Sequence, residues 1–324
     1  MKRHAIWLAA ATITLMLGPA PGKAQQPQTL AVFTKSLGNP VAKGTRSGVD
    51  NVAKSNNLKV FHYIPTSADN AQQQIGLVDE ALKQKPDAVL FTPVDIKALV
   101  PAAAKITAAS IPLIGVGDRL AGAPVTAFVG TDDQGVALAT ARKLFQAMGG
   151  KGNVVVLEGP PNIPTAPARL EGFKAALKEF PDIKVTLSKN ANYARPSASD
   201  LMKSFLRLSP PPQIDGVLAA NDAMAFGAIE ALKAANKKAL IVGINGSKEA
   251  VDFIKSGDML ASGDYSGQPE GCVAAEVALR VLRKEEAPKE IIVKSVVVDK
   301  SNYQDFETPI DRRPCPTIES VAGK

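Results

Sequence analysis

Residues Ile111–Leu120 read IPLIGVGDRL. The stretch is apolar, short and rich in β-branched residues, as a buried strand is. It stops at an adjacent acid and base, Asp118 and Arg119. A loop needs no such pair, so the charges are either solvated punctuation or groups that the strand delivers to a site. A second region has the same layout. DAVLFTP (87–93) leads through an alanine-rich stretch to PLIGVGD (112–118), and DGVLAAN (215–221) leads through another to ALIVGIN (239–245). Asp118 and Asn245 occupy the same place in the two halves. The repeat predicts a structural duplication, with the general likeness of all α/β sheets as the competing explanation.

Outward from this stretch the chain alternates strand and helix. TLAVFT, LKVFHYI, DAVLFTP and IPLIGVG read as strands. VAKGTRSGVDNVAKS, ADNAQQQIGLVDEALKQ and IKALVPAAAKITAAS between them carry apolar residues at helical spacing. Pro101 interrupts the last, so that helix starts late or kinks. TAFVG is a further strand, and Thr131-Asp132-Asp133 reads as the cap of a helix over QGVALATARKLFQAM. The pattern then restarts with GNVVVLEG, PARLEGFKAALKEF, IKVTLS, SASDLMKSFLRL, DGVLAAN, DAMAFGAIEALKAA, ALIVGIN, SKEAVDFIKS and MLASGDY. Two rounds of this length predict an α/β protein of two doubly wound parallel-sheet lobes. Ligands of open α/β sheets sit beyond the carboxyl ends of the strands. Asp118-Arg119 lies at such an end, and Asn245 lies at one in the other half.

The start of the chain is Met1-Lys-Arg-His, then the apolar AIWLAAATITLML, then GPAPGKA. A basic start, about a dozen apolar residues and small residues before the break predict a cleavable signal peptide over 1–24. The run is too short for a membrane span. The expected product is exported to the periplasm. Cleavage removes Lys2, Arg3 and Lys23 and no acid, taking the formal net charge from +7 to +4. That mild surplus, without long basic runs, gives no case for nucleic acid. Cys272 and Cys315 are the two cysteines. In an oxidising compartment they are expected to form a disulfide that staples the Pro-rich tail to the body; two free thiols are the alternative.

Five stretches in order, LGNPVAKGTRSGVDNVAKS, IPLIGVGDRL, ARLEGF, LAANDAMAFGAIEALKAA and VGINGS, resemble the ribose-binding group of type I periplasmic binding proteins. These are the soluble receptors of ATP-binding-cassette sugar importers. The resemblance covers roughly Thr29 to Val298. It implies a three-strand hinge, with one lobe over 25–130 plus 266–292, the other over 131–265 plus 293–303, and a Pro-rich tail over 304–324. It also implies ligand residues. Asn39 falls on the asparagine before the proline of the first loop. Asp118 and Arg119 fall on an aspartate-arginine pair that bonds sugar hydroxyls by charge-assisted contacts. Asn221 and Asn245 fall on ligand positions at later strand ends, Tyr193 on a loop aromatic that packs on a sugar face, and the last hinge position falls near Tyr265 or Ser266. Arg169 is the second arginine of Arg-x-Arg-x-x-Gly-Phe; Pro167 replaces the first. Val41 and Ala42 stand where ribose-binding proteins carry two aromatics, and Lys35 stands where they carry a small hydroxyl residue. Rhamnose and autoinducer-2 receptors carry a lysine in that region. The pocket is therefore expected to suit another sugar or a polyol.

Plainer readings accompany each residue. Asp118-Arg119 could be a surface ion pair, Asn221 an N-cap, Asn245 a turn former, Lys35 a solvated cation, and Arg169 a helix-face residue or half of a supporting ion pair. An enzyme needs a constellation that is missing here. Past the leader the chain has one histidine, His62, with no GxSxG and no phosphate-binding loop. A sugar-responsive repressor would need a DNA-binding headpiece. The expectation is a monomeric, cofactor-free, non-enzymatic receptor that closes on a sugar or polyol and docks on a membrane permease. A receptor that feeds chemotaxis or a sensor kinase is the alternative.

Overall fold

A computed structural model describes residues 27–38, 40–67 and 70–321; the leader over 1–24 and Asn39 lie outside the described residues. The first round runs β1 (Thr29–Phe33), α1 (Pro40–Ser55), β2 (Lys59–Tyr63), α2 (Ala71–Lys83), β3 (Ala88–Phe91), α3 (Val100–Ala108), β4 (Leu113–Val116) and β5 (Ala127–Thr131). The second runs α4 (Asp133–Ala147), β6 (Lys151–Glu158), α5 (Thr165–Glu179), β7 (Asp182–Asn190), α6 (Arg195–Leu206), β8 (Gly216–Ala219), α7 (Asp222–Ala234), β9 (Leu240–Asn245), α8 (Lys248–Ser256) and β10 (Ala261–Asp264). The closing part adds α9 (Gln268–Leu282), β11 (Glu290–Val293), β12 (Val297–Asp299), α10 (Tyr303–Glu307) and α11 (Ile318–Val321). The alternation of strand and helix in the sequence does not pick out α9, β11 or β12. Helix α3 starts late, with Pro101 in its first turn, where the missing N–H breaks no helical bond.

The strands form two six-stranded sheets, ordered β11-β5-β4-β3-β1-β2 and β12-β10-β9-β8-β6-β7. Position by position the two orders correspond, so the β3–α3–β4 unit containing Asp118 has the same place as the β8–α7–β9 unit containing Asn245. Pairing is parallel throughout except for β12 on β10. β10 leaves the second sheet for the first lobe and β12 re-enters it from the first lobe, so the two run in opposite directions. The chain passes from the first sheet to the second after β5 and after β11, and returns after β10.

The four inner strands of the first sheet, β1, β3, β4 and β5, are buried on both faces, and the edge strands β2 and β11 keep residues in solvent. Leu30 and Val32 of β1 point into a cluster with Val49 of α1 and Val273 and Val277 of α9. Ala31 and Phe33 point the other way, among Val78 of α2 and Ala103 and Ile106 of α3. Burying a side chain such as Phe33 or Ile106 contributes roughly 1.5–3 kcal/mol each. The second sheet is covered likewise by α4 to α8 around Val155, Leu218 and Val242. Helices α1 and α9 pack backbone to backbone. A Cβ at Gly48 would lie 2.3 Å from the Gln268 carbonyl oxygen, and one at Gly271 would lie 2.0 Å from that of Thr45. Alanine at either position forces the helices apart.

After β12 the chain does not end on the second lobe. Helix α10 packs on α8 and β12, with Lys255 bridging Glu307 at 2.5 Å. A 3₁₀ turn at Ile310–Arg312 then lies on α1, and α11 packs on α9 and β11 with Ile318 and Val321 buried. Cys315, between these two, is bonded to Cys272 of α9, with Cα atoms 5.6 Å apart. Among the described residues no helix is long and apolar enough to cross a membrane.

Candidate functional site: the cleft between the lobes

Two strand ends of the first lobe supply one wall. Lys35 follows β1 and Asp118 follows β4, and their side chains meet, with Lys35 Nζ 2.6 Å from Asp118 Oδ2. Gly117 makes the turn that presents Asp118, with a φ of 72° that favours glycine. Both side chains keep part of their surface in solvent, 28% and 22% exposed.

The facing wall comes from the second lobe. Asp132 caps α4 by accepting from the Gly135 N–H, which leaves Asp133 free of that duty. Asp133 Oδ1 accepts from Arg169 Nε at 2.8 Å. Arg169, 3% exposed, also donates to the Ala220 carbonyl at 2.8 Å. Its guanidinium lies 4.7 Å from the Tyr265 ring centre and 5.8 Å from that of Tyr193, within cation–π range. Tyr193 shares a hydrogen bond with Thr165 and rests against Gly159, where a Cβ would lie 2.3 Å from the ring. Burial pushes the Asp133 carboxyl up, against the pull of Arg169 and with help from the charge of Asp118. Burial pulls the Arg169 guanidinium down, but Asp133 and the two tyrosines more than offset this.

The sequence-derived residues therefore divide. Lys35 and Asp118 come together on one wall, and Arg169, Tyr193 and Tyr265 on the other. Asn221 joins the second group through the backbone. Its Nδ2 donates to the Tyr193 carbonyl at 3.0 Å, and its Oδ1 caps α7 by accepting from the Met224 N–H. Asn245 ends β9 in register with Asp264 of β10, half-buried. Arg119 stands apart. It donates to Glu290 Oε1 at 2.6 Å and lies 4.0 Å from the centre of the Phe128 ring, with half of its side chain in solvent.

Three polar groups at the crossings are not legible in the sequence. Asp133 reads, together with Asp132, as a cap; only the second carboxylate, in excess of what one helix end uses, hints at more. Glu270 sits in the first turn of α9, 4% exposed, and accepts from the Thr131 hydroxyl at 2.6 Å. Acids are ordinary in a first turn because they complement the helix dipole, so nothing singles it out. Asp264 accepts from the Ser266 N–H at 3.0 Å on the return crossing. Burial raises Asp264 to about 6 and Glu270 to about 7. By contrast Asp222, also buried, is tied to Ser247 and Ser262 by three hydrogen bonds and holds the ends of β8, β9 and β10 together.

Two α/β lobes of matching strand order agree with what comparison with known proteins finds. Residues 30–286 match the model of a periplasmic binding protein domain. The chain is 32% identical over 259 residues to a xylitol-binding protein of Mycolicibacterium smegmatis, covering 79% of this chain and 73% of that one. It is 33% identical over 265 residues to a D-apiose import binding protein of Paraburkholderia graminis, covering 81% and 83%. Among solved structures, a periplasmic solute-binding protein of an ABC transporter from Actinobacillus succinogenes, with D-allose bound, superposes with a TM-score of 0.78 at 32% identity, covering 86% of this chain and 99% of that one. With this fold, this duplication and these relatives, the chain belongs to the periplasmic binding protein family.

Proposed function

We propose that the protein captures a sugar or polyol between its lobes, closes on it by bending at the three crossings, and presents the closed form to the permease of an ATP-binding-cassette importer from the periplasm. The observation that carries this reading is the pairing of two charged walls. Lys35–Asp118 lies on the first lobe and Asp133–Arg169 on the second, where Tyr193 and Tyr265 flank it. Carboxylates accept from adjacent hydroxyls, the ammonium donates, and tyrosine rings cover the apolar face of a polyhydroxylated ligand. Val41 and Ala42 offer no aromatic wall on the first lobe, which favours a ligand other than ribose. Relatives named for xylitol, D-apiose and D-allose support the same class. The reading requires no cofactor and no covalent step. A ligand that binds both lobes stabilises the closed form by its preference for that form alone.

The test is a thermal-shift screen of residues 25–324 against sugars, polyols, amino acids and nucleosides. A ligand at a thousandfold excess over Kd stabilises the native state by about 4 kcal/mol. A hit among sugars or polyols is expected. Hits confined to amino acids or nucleosides, or ribose as the tightest binder, overturn the proposed ligand class.

A further inference from the structure

The two lobes meet through carboxyl groups with too few cations to match them. Asp118 and Glu270 belong to the first lobe, Asp133 and Asp264 to the second. Lys35 answers Asp118, Arg169 answers Asp133, and the charge of Arg313 bears on Asp264. Among the described residues Glu270 has no ion-pair partner. Its hydrogen-bond partner is the Thr131 hydroxyl, at the point where the chain leaves the first sheet. Its other oxygen lies 3.7 Å from where a Cβ of Gly117 would stand, beneath the turn that presents Asp118. The charges that bear on it come from three places around the crossings. They are Asp118 after β4, Asp133 at the start of α4 and Asp264 at the end of β10, beside the phenol of Tyr265.

We propose that Glu270 is a positioning residue of the hinge whose proton lets the lobes come together, and whose ionisation drives them apart. Neutral, it adds no charge to a place where Asp118, Asp133 and Asp264 already converge. Ionised, it adds a buried negative charge without an ion-pair partner of its own beside the carboxylates of Asp133 and Asp264, and like charges in low-dielectric protein repel. Closure brings these groups nearer and strips water from them, so it favours the protonated acid, and by linkage the proton favours closure. The titration falls in an accessible range, since burial and the three neighbouring acids hold Glu270 at about 7. The inference rests on the receptor reading for its purpose, though its test needs no ligand.

Small-angle X-ray scattering of the ligand-free protein from pH 6 to pH 8 tests it. The radius of gyration is expected to rise with pH, with a midpoint near 7. Glu270→Gln, which keeps shape and lacks the charge, should lose the rise centred near 7 and keep only the smaller change that Asp264, at about 6, adds at the acid end of the range. Thr131→Val removes a hydroxyl that favours the ionised acid, so its midpoint should move to higher pH. If Glu270→Gln fails to fold, that displaced midpoint still decides the matter. A wild-type radius that does not change with pH overturns the proposal, as does a Glu270→Gln protein that expands like the wild type. Sugar binding at pH 6 without a pH-dependent radius sinks this proposal alone, and expansion without any sugar binding sinks the receptor reading alone.

Discussion

The two ion pairs Lys35–Asp118 and Asp133–Arg169, one on each lobe, are made of the same chemistry and differ in their exposure to water. Asp133–Arg169 is sealed. The guanidinium side chain is 4% exposed, held by a carboxylate and a carbonyl, and set beside two tyrosine rings. Lys35–Asp118 is open, with about a quarter of each side chain in water. A sealed pair cannot exchange its partner without leaving a charge stranded, so it acts as a fixed surface. An open pair can trade its internal contact for a ligand hydroxyl at little cost, because water already competes for it. In the proposed receptor, one wall would supply shape and the other adaptable polar contacts.

Substitutions can break or sharpen this contrast. The largest effect is expected from Arg169→Ala. It leaves Asp133 buried without its cation and should lower the unfolding free energy by about 3 kcal/mol or more, read from urea denaturation. A loss below about 1 kcal/mol would mean that the pair is as replaceable as its counterpart. Asp118→Ala should do the reverse. Stability should change by less than about 1 kcal/mol, while affinity for the sugar or polyol found in the screen should fall about a hundredfold, as for loss of one or two charge-assisted hydrogen bonds. Calorimetry reads the second quantity, and normal binding would show that the open wall is not the ligand wall. Asn221→Ala removes a helix cap and the tether on Tyr193, and should cost about 1–2 kcal/mol of stability. Arg119→Ala is the smallest. Its exposed pair with Glu290 predicts a stability change below about 1 kcal/mol and a Kd change under about threefold. A tenfold or larger loss of affinity would move Arg119 into the cleft on ligand binding and restore the role that its family resemblance implies.

Arg119 also shows where sequence reading stops. The pattern of strands and helices is legible because buried parallel strands are apolar without interruption and the helices between them are amphipathic. The duplication is legible because both halves repeat Asp-x-Val-Leu ahead of a strand that ends on a polar residue. Asp118 stands out because a strand end is where an acid has a use. The path of the chain beyond a strand end is less determined. Asp118 turns toward Lys35, while its neighbour Arg119 turns back over Phe128 to meet Glu290, a residue 171 positions away. Nothing in DRL encodes that. Asp133 is hidden by its neighbour, since either of two adjacent aspartates can cap a helix. Glu270 is hidden because its position in α9 is ordinary, and its lack of an ion-pair partner among the described residues is a property of the assembled crossings.

The link between Cys272 and Cys315 has a mechanical consequence. The segment it closes begins on α9 of the first lobe, runs through β11, crosses to β12 and α10 of the second, and comes back to the first before the sulfur bond. The covalent graph of the molecule is therefore a ring threaded through both lobes. A force pulling the lobes apart is shared by four stretches of chain in parallel. A protease nick between β11 and β12, fatal to a simple thread, leaves the two pieces joined until the bond is reduced.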